Sequence, residues 1–363
     1  MPCRRGVHKA INRFYNGSVE QPILRLGLIG FPDNVTAQLV HWLSREVEGW
    51  PQWTIAPFDK ADAWWINGRS IVDFDDKVLT LHTGRLDQDL IKINPTDSTR
   101  PIAFAGKLPS ALEVEQQVDL RHDASMRQHL QNFEAWLRPL RAQFALGADL
   151  VERESELKPG VYQITLQGRL LAVIDLFKWR AGILPTARPV DFNQAAWDHR
   201  PPSASDIPSS FIQMTVSHLM WIYATRTRRD VLPQRYRKNK IYFRRLPRMP
   251  AGWLQDEHLL LVRELSIHAS TLDGLVLRTG IAPVLLAQYM AALYFAGSIT
   301  TNPRSAGEPL DKRTPLGMDA SQPLQIHQGP DSQIGFGKMS GFTRDSRPFE
   351  HEQHSAPASL PQA

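Results

Sequence analysis

Apolar positions alternate between short strand-like runs and helical stripes through the first half of the chain. Residues 22–31 (PILRLGLIGF) are apolar except for Arg25 and stop at Pro32, the pattern of a buried strand. Asp33 or Asn34 then caps a helix whose stripe is Val35, Leu39, Val40, Trp42 and Leu43. Runs at 53–57, 62–66, 78–83 and 101–106 predict further short strands. Helical spacing returns over 125–145 through Leu130, Phe133, Leu137, Leu140 and Phe144, with Pro139 placed to kink that helix or split it in two. Strand–helix alternation of this kind predicts a small α/β domain over 22–150.

A second unit, mixed α+β, is expected over 158–225. VYQITL and RLLAVIDL flank Gln167-Gly168, a hairpin signature, and a third strand is expected over 182–187. A proline- and serine-rich loop at 200–210 then leads into a helix expected over 209–225, with Phe211, Met214, His218, Trp221 and Ile222 near one face. Residues 254–302 predict three helices. Leu254 and Leu259 to Leu265 carry the first. Leu272, Leu275 and Val276 carry the second, closed by Thr279-Gly280. The third starts near Pro283 and runs through Leu286 and Leu293. AGSITTN (296–302) reads as a short hairpin. The arm 1–21 and the proline-, glycine- and serine-rich tail 303–363 lack a core-forming pattern and are expected to be disordered. The fold class expected is α/β, α+β overall.

Two modules bear resemblances. Leu272, Leu275, Thr279-Gly280-Ile281, Leu286, Leu293 and Gly297-Ser298-Ile299 make residues 254–302 resemble a winged helix of the MarR-like kind. That resemblance implies a third helix that enters a major groove or serves packing and dimerisation. Residues 282–296 (APVLLAQYMAALYFA) carry no positive charge and offer only Gln288, Tyr289 and Tyr294, which favours packing. The N-terminal domain loosely resembles a response-regulator receiver. ADAWWING (61–68) is similar to the third receiver strand and PIAFAGK (101–107) to the fifth. Asn67 stands where the phosphoacceptor aspartate would be, and Gly30-Phe31 where an acidic metal-binding pair would be. The resemblance therefore implies a degenerate, protein-binding domain rather than a phosphorylated one.

Composition narrows the chemistry. The chain has 363 residues and one cysteine, Cys3, which excludes a disulfide framework, a cysteine-built zinc site and an iron–sulfur cluster. No apolar run approaches the roughly 20 residues a membrane span needs, so no membrane insertion is expected. The glycines of 27–36 match neither a dinucleotide fingerprint nor a P-loop. Twelve histidines are scattered without ligand spacing, and the acids at Asp73, Asp75 and Asp76 and at Glu152, Glu154 and Glu156 read as solvated surface. No catalytic residue, metal site or cofactor is predicted.

Charge is concentrated. The net +5 hides a segment, residues 226–248, with ten basic residues and one acid. The remainder carries 32 basic against 36 acidic residues, a net −4. A local block of this kind implies an anionic partner. Arg228, Arg229, Arg235, Arg237, Lys238, Lys240, Arg244, Arg245 and Arg248 are the candidate phosphate ligands, and Tyr236 and Tyr242 are candidate stacking rings. Arg244 and Arg248 also have the RxxxR spacing of PilZ domains, which implies a cyclic dinucleotide, but the second PilZ motif is missing downstream. The opposite expectation is a linker whose arginines pair with acids on neighbouring domains. The reading is a cytoplasmic, bacterial, non-enzymatic regulatory or adaptor protein with a protein partner and an anionic ligand, nucleotide or nucleic acid. A DNA-binding transcription regulator is the alternative, and an enzyme of unknown class the third.

Overall fold

β1 (Ile23–Ile29) buries Leu24 and Leu26 on one face and Ile29 on the other, as a strand covered on both sides must. The structure is a computed structural model. It describes residues 20–307 except 46–49, 84–89, 97, 110, 111, 113, 115, 202, 203 and 205. The expected arm and tail lie outside the described residues, apart from 20–21 and 303–307.

After β1 the chain forms α1 (Asp33–Leu43), then β2 (Gln52–Ile55) and β3 (Ala63–Asn67), both parallel to β1. A single 3-10 turn, Phe58–Lys60, joins β2 to β3. An antiparallel sheet follows, made of β4 (Ile71–Asp75), β5 (Val78–His82) and β6 (Leu90–Ile93). Asp76 and Lys77, both at positive φ, make the tight turn between its first two strands. The chain then returns to the parallel sheet as β7 (Ile102–Ala105) and β8 (Gln117–Val118). The sheet order is β2-β1-β3-β7-β8, which counted within the parallel strands is the 2-1-3-4-5 order of flavodoxin-like sheets. Residues 102–105 are thus the fourth strand and not the fifth. The fifth, two residues long, leaves too short an apolar run to be seen in the sequence.

The two faces of this sheet are covered differently. α1 and α2 (Asp123–Trp136) pack on Leu24, Leu26, Trp65, Ala103 and Ala105 through Leu39, Met126, Leu130 and Phe133. On the opposite face Leu79, Leu81 and Ile93 of the inserted sheet cover Ile29, Ile66 and Phe104. α3 (Arg138–Glu152) begins at once after Leu137 with Pro139 in its first turn, so the proline splits the helical stripe in two. The split also divides the cores. α2 belongs to the first, whereas Ala142, Phe144, Leu146 and Leu150 of α3 belong to the second.

The second sheet is antiparallel throughout. Its strands are β9 (Val161–Leu166), β10 (Arg169–Asp175), β11 (Arg180–Ile183), β12 (Ala196–Arg200) and β13 (Ile212–Thr215), in the order β12-β9-β10-β11-β13. Gln167 and Gly168, both at positive φ, form the expected hairpin turn. α4 (Pro189–Asn193) lies between β11 and β12 in the chain. The helix expected over 209–225 is shorter. Residues 212–215 are an edge strand on β11, and α5 (Val216–Ala224) starts only where the Thr215 hydroxyl accepts from the His218 amide. Sheet pairing there overrides the local helical spacing.

α6 (Gln234–Lys238) and β14 (Tyr242–Phe243) carry the basic segment to a group of three helices, α7 (Asp256–Ile267), α8 (Leu272–Thr279) and α9 (Pro283–Phe295). Gly280, left-handed at φ 67°, ends α8. The expected hairpin at 296–302 does not form. β15 (Ile299–Thr300) pairs instead with β14, more than 50 residues upstream. α9 buries Leu286, Ala287 and every residue from Met290 to Phe295, so it is covered on nearly all sides. Its core is continuous with that of the second sheet through α5. Among the described residues no single helix is long and apolar enough to cross a membrane.

Candidate anion-binding site

The basic segment leaves α5 at Arg226 and divides into two halves of opposite character. In the first half the cations are tied to the protein. Arg226 is buried, and its two guanidinium nitrogens donate to the two Asp62 carboxylate oxygens at 2.7 Å each. One of them also donates to the Ile23 carbonyl at 3.1 Å. The Arg25 amide donates to the same carboxylate at 2.8 Å, and the Arg25 side chain to the Thr225 carbonyl at 3.1 Å. Burial and the Arg226 charge hold the Arg25 guanidinium down at about 10. This knot joins the parallel sheet to the rest of the molecule.

Four candidate residues of this half also serve the structure. Arg229 contacts Glu152 at 3.0 Å and Glu20 at 3.7 Å. Arg237 pairs with Asp230. Arg235 lies over the rings of Tyr236 and Tyr294, and its charge acts on Glu154, whose carboxyl burial pushes up. Glu154 is therefore not solvated surface. Tyr236 is only 2% exposed and donates to the Ile299 carbonyl, so it cannot stack a base. Its apolar ring was needed in the core under β15, a demand that only the long-range β14–β15 pairing creates. Arg228 is exposed and faces the N-terminal domain.

The second half is different. Lys238, Lys240 and Arg248 are exposed, and Arg244 and Arg245 are partly so. None of these five makes an ion pair among the described residues. Lys238 closes α6, and β14 holds the chain beyond Lys240 extended. The Arg244 amide donates to the Ser298 carbonyl at 2.8 Å, the Gly307 amide to the Phe243 carbonyl at 2.9 Å, and the His218 ring lies 3.1 Å from the Arg248 carbonyl. Burial first, and then the neighbouring charges of Arg244 and Arg248, keep the Arg245 guanidinium below its usual pKa. Tyr242 is half-buried beside them. The arrangement is a short, edge-anchored cationic ribbon able to neutralise several phosphates.

The other sequence-marked places are filled. At the mouth of the parallel sheet, the Asn67 side-chain amide donates to the Gly30 carbonyl at 2.8 Å and its oxygen accepts from the Arg69 amide at 3.1 Å. A Cβ on Gly30 would lie 2.0 Å from that of Ser70, and one on Gly68 would lie 2.4 Å from the Lys107 carbonyl. These contacts pack the carboxyl ends of β1 and β3 tightly against Ser70 and Lys107. Trp53, Trp64 and Trp65 are core, whereas Trp50 is 40% exposed.

One buried group was not marked by the sequence. His258 is fully buried between Trp221 and Tyr289, with ring centroids 4.7 and 4.9 Å away. Its Nδ1 accepts from the Gln255 amide at 3.2 Å, capping α7. Burial, with Arg25 and Lys60 nearby, holds it down at about 3, so it is neutral. No family model, no curated protein and no solved structure matches the chain.

Proposed function

We propose that this chain is a non-enzymatic cytoplasmic regulatory or adaptor protein that binds a phosphate-bearing ligand, nucleic acid or nucleotide, on the ribbon 238–248. The observation that carries the reading is the run of five cations, Lys238, Lys240, Arg244, Arg245 and Arg248, without a carboxylate partner among the described residues. Protein contacts fall to its other modules. The receiver-like strand order and the structural use of Asn67 support a protein-binding rather than a phosphorylated N-terminal domain. In the winged-helix-like module Leu277 and Val284 are 86% and 82% exposed at the α8–α9 corner, where a groove-reading helix would present cations.

The test is a titration of the purified full chain against labelled duplex DNA and a labelled cyclic dinucleotide, at low and physiological salt. Binding is expected to weaken steeply with salt for the polyanion and to fall in the double variant R244E/R245E, while R237A, which touches only a structural pair, leaves it intact. Equal binding by R244E/R245E, or no binding of either probe by the parent, refutes the reading. Sequence-selective duplex binding that survives physiological salt would make the protein a transcription regulator instead.

A further inference from the structure

A second place in the molecule combines flat rings with cations. Between the end of α1, the start of β2 and the side of α2 lies an open hollow of about 620 Å³, counted out to its solvent side. Trp42, Trp50 and Trp53 line it, together with Arg45, Arg127 and Arg228. Their positions follow from the local folding. Trp42 is on the last turn of α1, Trp53 on β2 facing the core, and Arg127 one turn into α2. Arg228 reaches it because the Arg226–Asp62 knot fixes the chain two residues earlier.

The chemistry of the lining is uneven in an informative way. Arg127 is exposed and makes no ion pair among the described residues, and Arg45 has a loose surface contact to Asp123 at 3.8 Å. The lining acid, Glu134, is already engaged. It accepts from the Trp53 indole N–H at 3.1 Å and lies 3.7 Å from Arg141, and burial pushes its carboxyl up. Among the described lining residues, an incoming anion meets the Arg45 and Arg127 guanidinium groups rather than a free carboxylate. The Trp42 indole N–H is buried without a hydrogen-bond partner among the described residues, a donor awaiting an acceptor. Trp50, by contrast, leaves much of its ring in the open, where a planar group can lie on it.

We infer that this hollow is a mononucleotide-binding site, with a base stacked on Trp50 and its phosphate held by Arg45 and Arg127. Indole faces take any planar base, and guanidinium forks take phosphate oxygens in pairs. The hollow is open to solvent, so it can receive a nucleotide unit either free or as one residue of a strand. Its lining includes no residue of the ribbon 238–248, so this inference goes beyond the function proposed above and does not depend on it.

The experiment is a titration of the full chain with AMP and GMP, with adenosine and inorganic phosphate as half-ligands and a short single-stranded oligonucleotide as the polymeric source, read by intrinsic fluorescence and calorimetry. Saturable binding of the monophosphates is expected, with adenosine and phosphate each weaker. Trp50→Ala, at a surface position whose fold is checked by thermal melting, is expected to weaken AMP by roughly 5- to 150-fold, the range that base–aromatic stacking gives. Arg127→Ala weakens AMP but leaves adenosine unchanged, a difference that a merely structural arginine would not produce. R244E/R245E retains full AMP affinity, which separates this site from the ribbon. Absence of saturable monophosphate binding by the parent overturns the inference, as does equal affinity in W50A and R127A. Loss of AMP binding in R244E/R245E assigns the nucleotide to the ribbon and also overturns it. Tighter binding of the oligonucleotide that shares the W50A and R127A losses identifies the strand as the source and upholds the site.

Discussion

Replacing Asp62 by asparagine removes the charge at the knot while keeping its shape. The carboxylate receives two guanidinium hydrogen bonds from Arg226 at 2.7 Å and the Arg25 amide at 2.8 Å, and both side chains of the ion pair are only 10% exposed. An amide can accept one of these bonds but cannot balance Arg226, and Arg25, already lowered to about 10, stands beside it. Leaving a buried charge without its partner costs about 3–5 kcal/mol. At about 2–4 °C per kcal/mol for a unit of this size, the melting temperature should fall by roughly 6–20 °C. The assay is urea unfolding of parent and variant by circular dichroism, with thermal melts alongside. The double variant D62N/R226M removes both charges and should recover much of the loss, because no guanidinium is then stranded. R237A breaks the partly exposed pair with Asp230 and should cost no more than about 1 kcal/mol. A D62N loss as small as that of R237A would refute the reasoning, since Arg226–Asp62 would then behave as a surface pair.

Other outcomes follow from the same structure. His258 is held at about 3 when folded against 6.5 when unfolded, so the unfolded chain binds the extra proton between those values. Parent stability should therefore fall with acid through that window by up to roughly 1.4 kcal/mol per pH unit relative to His258→Phe, read by urea unfolding at several pH values. The carboxyls raised by burial, Glu134, Asp149 and Glu154, act in the opposite sense but equally in both proteins, so they cancel in the comparison. Met290→Ala, at a fully buried position of α9, should cost about 2–5 kcal/mol in the same assay, and an unchanged midpoint would contradict the burial of that helix. R244E/R245E should lower the slope of log affinity against log salt by about 0.9 for each phosphate that the variant no longer neutralises, measured with duplex DNA. The double variant L277S/V284S should leave stability within about 0.5 kcal/mol, because both side chains already stand in solvent, and should weaken any protein contact made at that corner.

Local rules carried much of the fold into the sequence. The alternation of 22–31, the turn at Gln167-Gly168, the split at Pro139 and the three helices closing the chain are each decided within a few residues, by side-chain period, positive φ or a missing amide. The charge block was legible for the same reason, since ten cations in 23 positions need no folding to be counted. What the sequence could not apportion was their use. Arg226 looks like Arg244 until Asp62, 164 residues away, is folded against one of them and no acid among the described residues against the other. Tyr236 looks like Tyr242 until the pairing of β14 with β15 puts one under the core and leaves the other at the edge. The helix expected at 209–225 became part strand, and the hairpin expected at 296–302 became half of a distant ladder, because in both places a long-range partner supplied hydrogen bonds that the local pattern cannot encode. The hollow of Trp42, Trp50 and Arg127 was likewise invisible. Its walls come from two helices and a strand that are neighbours only once the parallel sheet has set their order, and burial, which decides whether a charge or ring is spent on the fold or left for a ligand, is a property of that order alone.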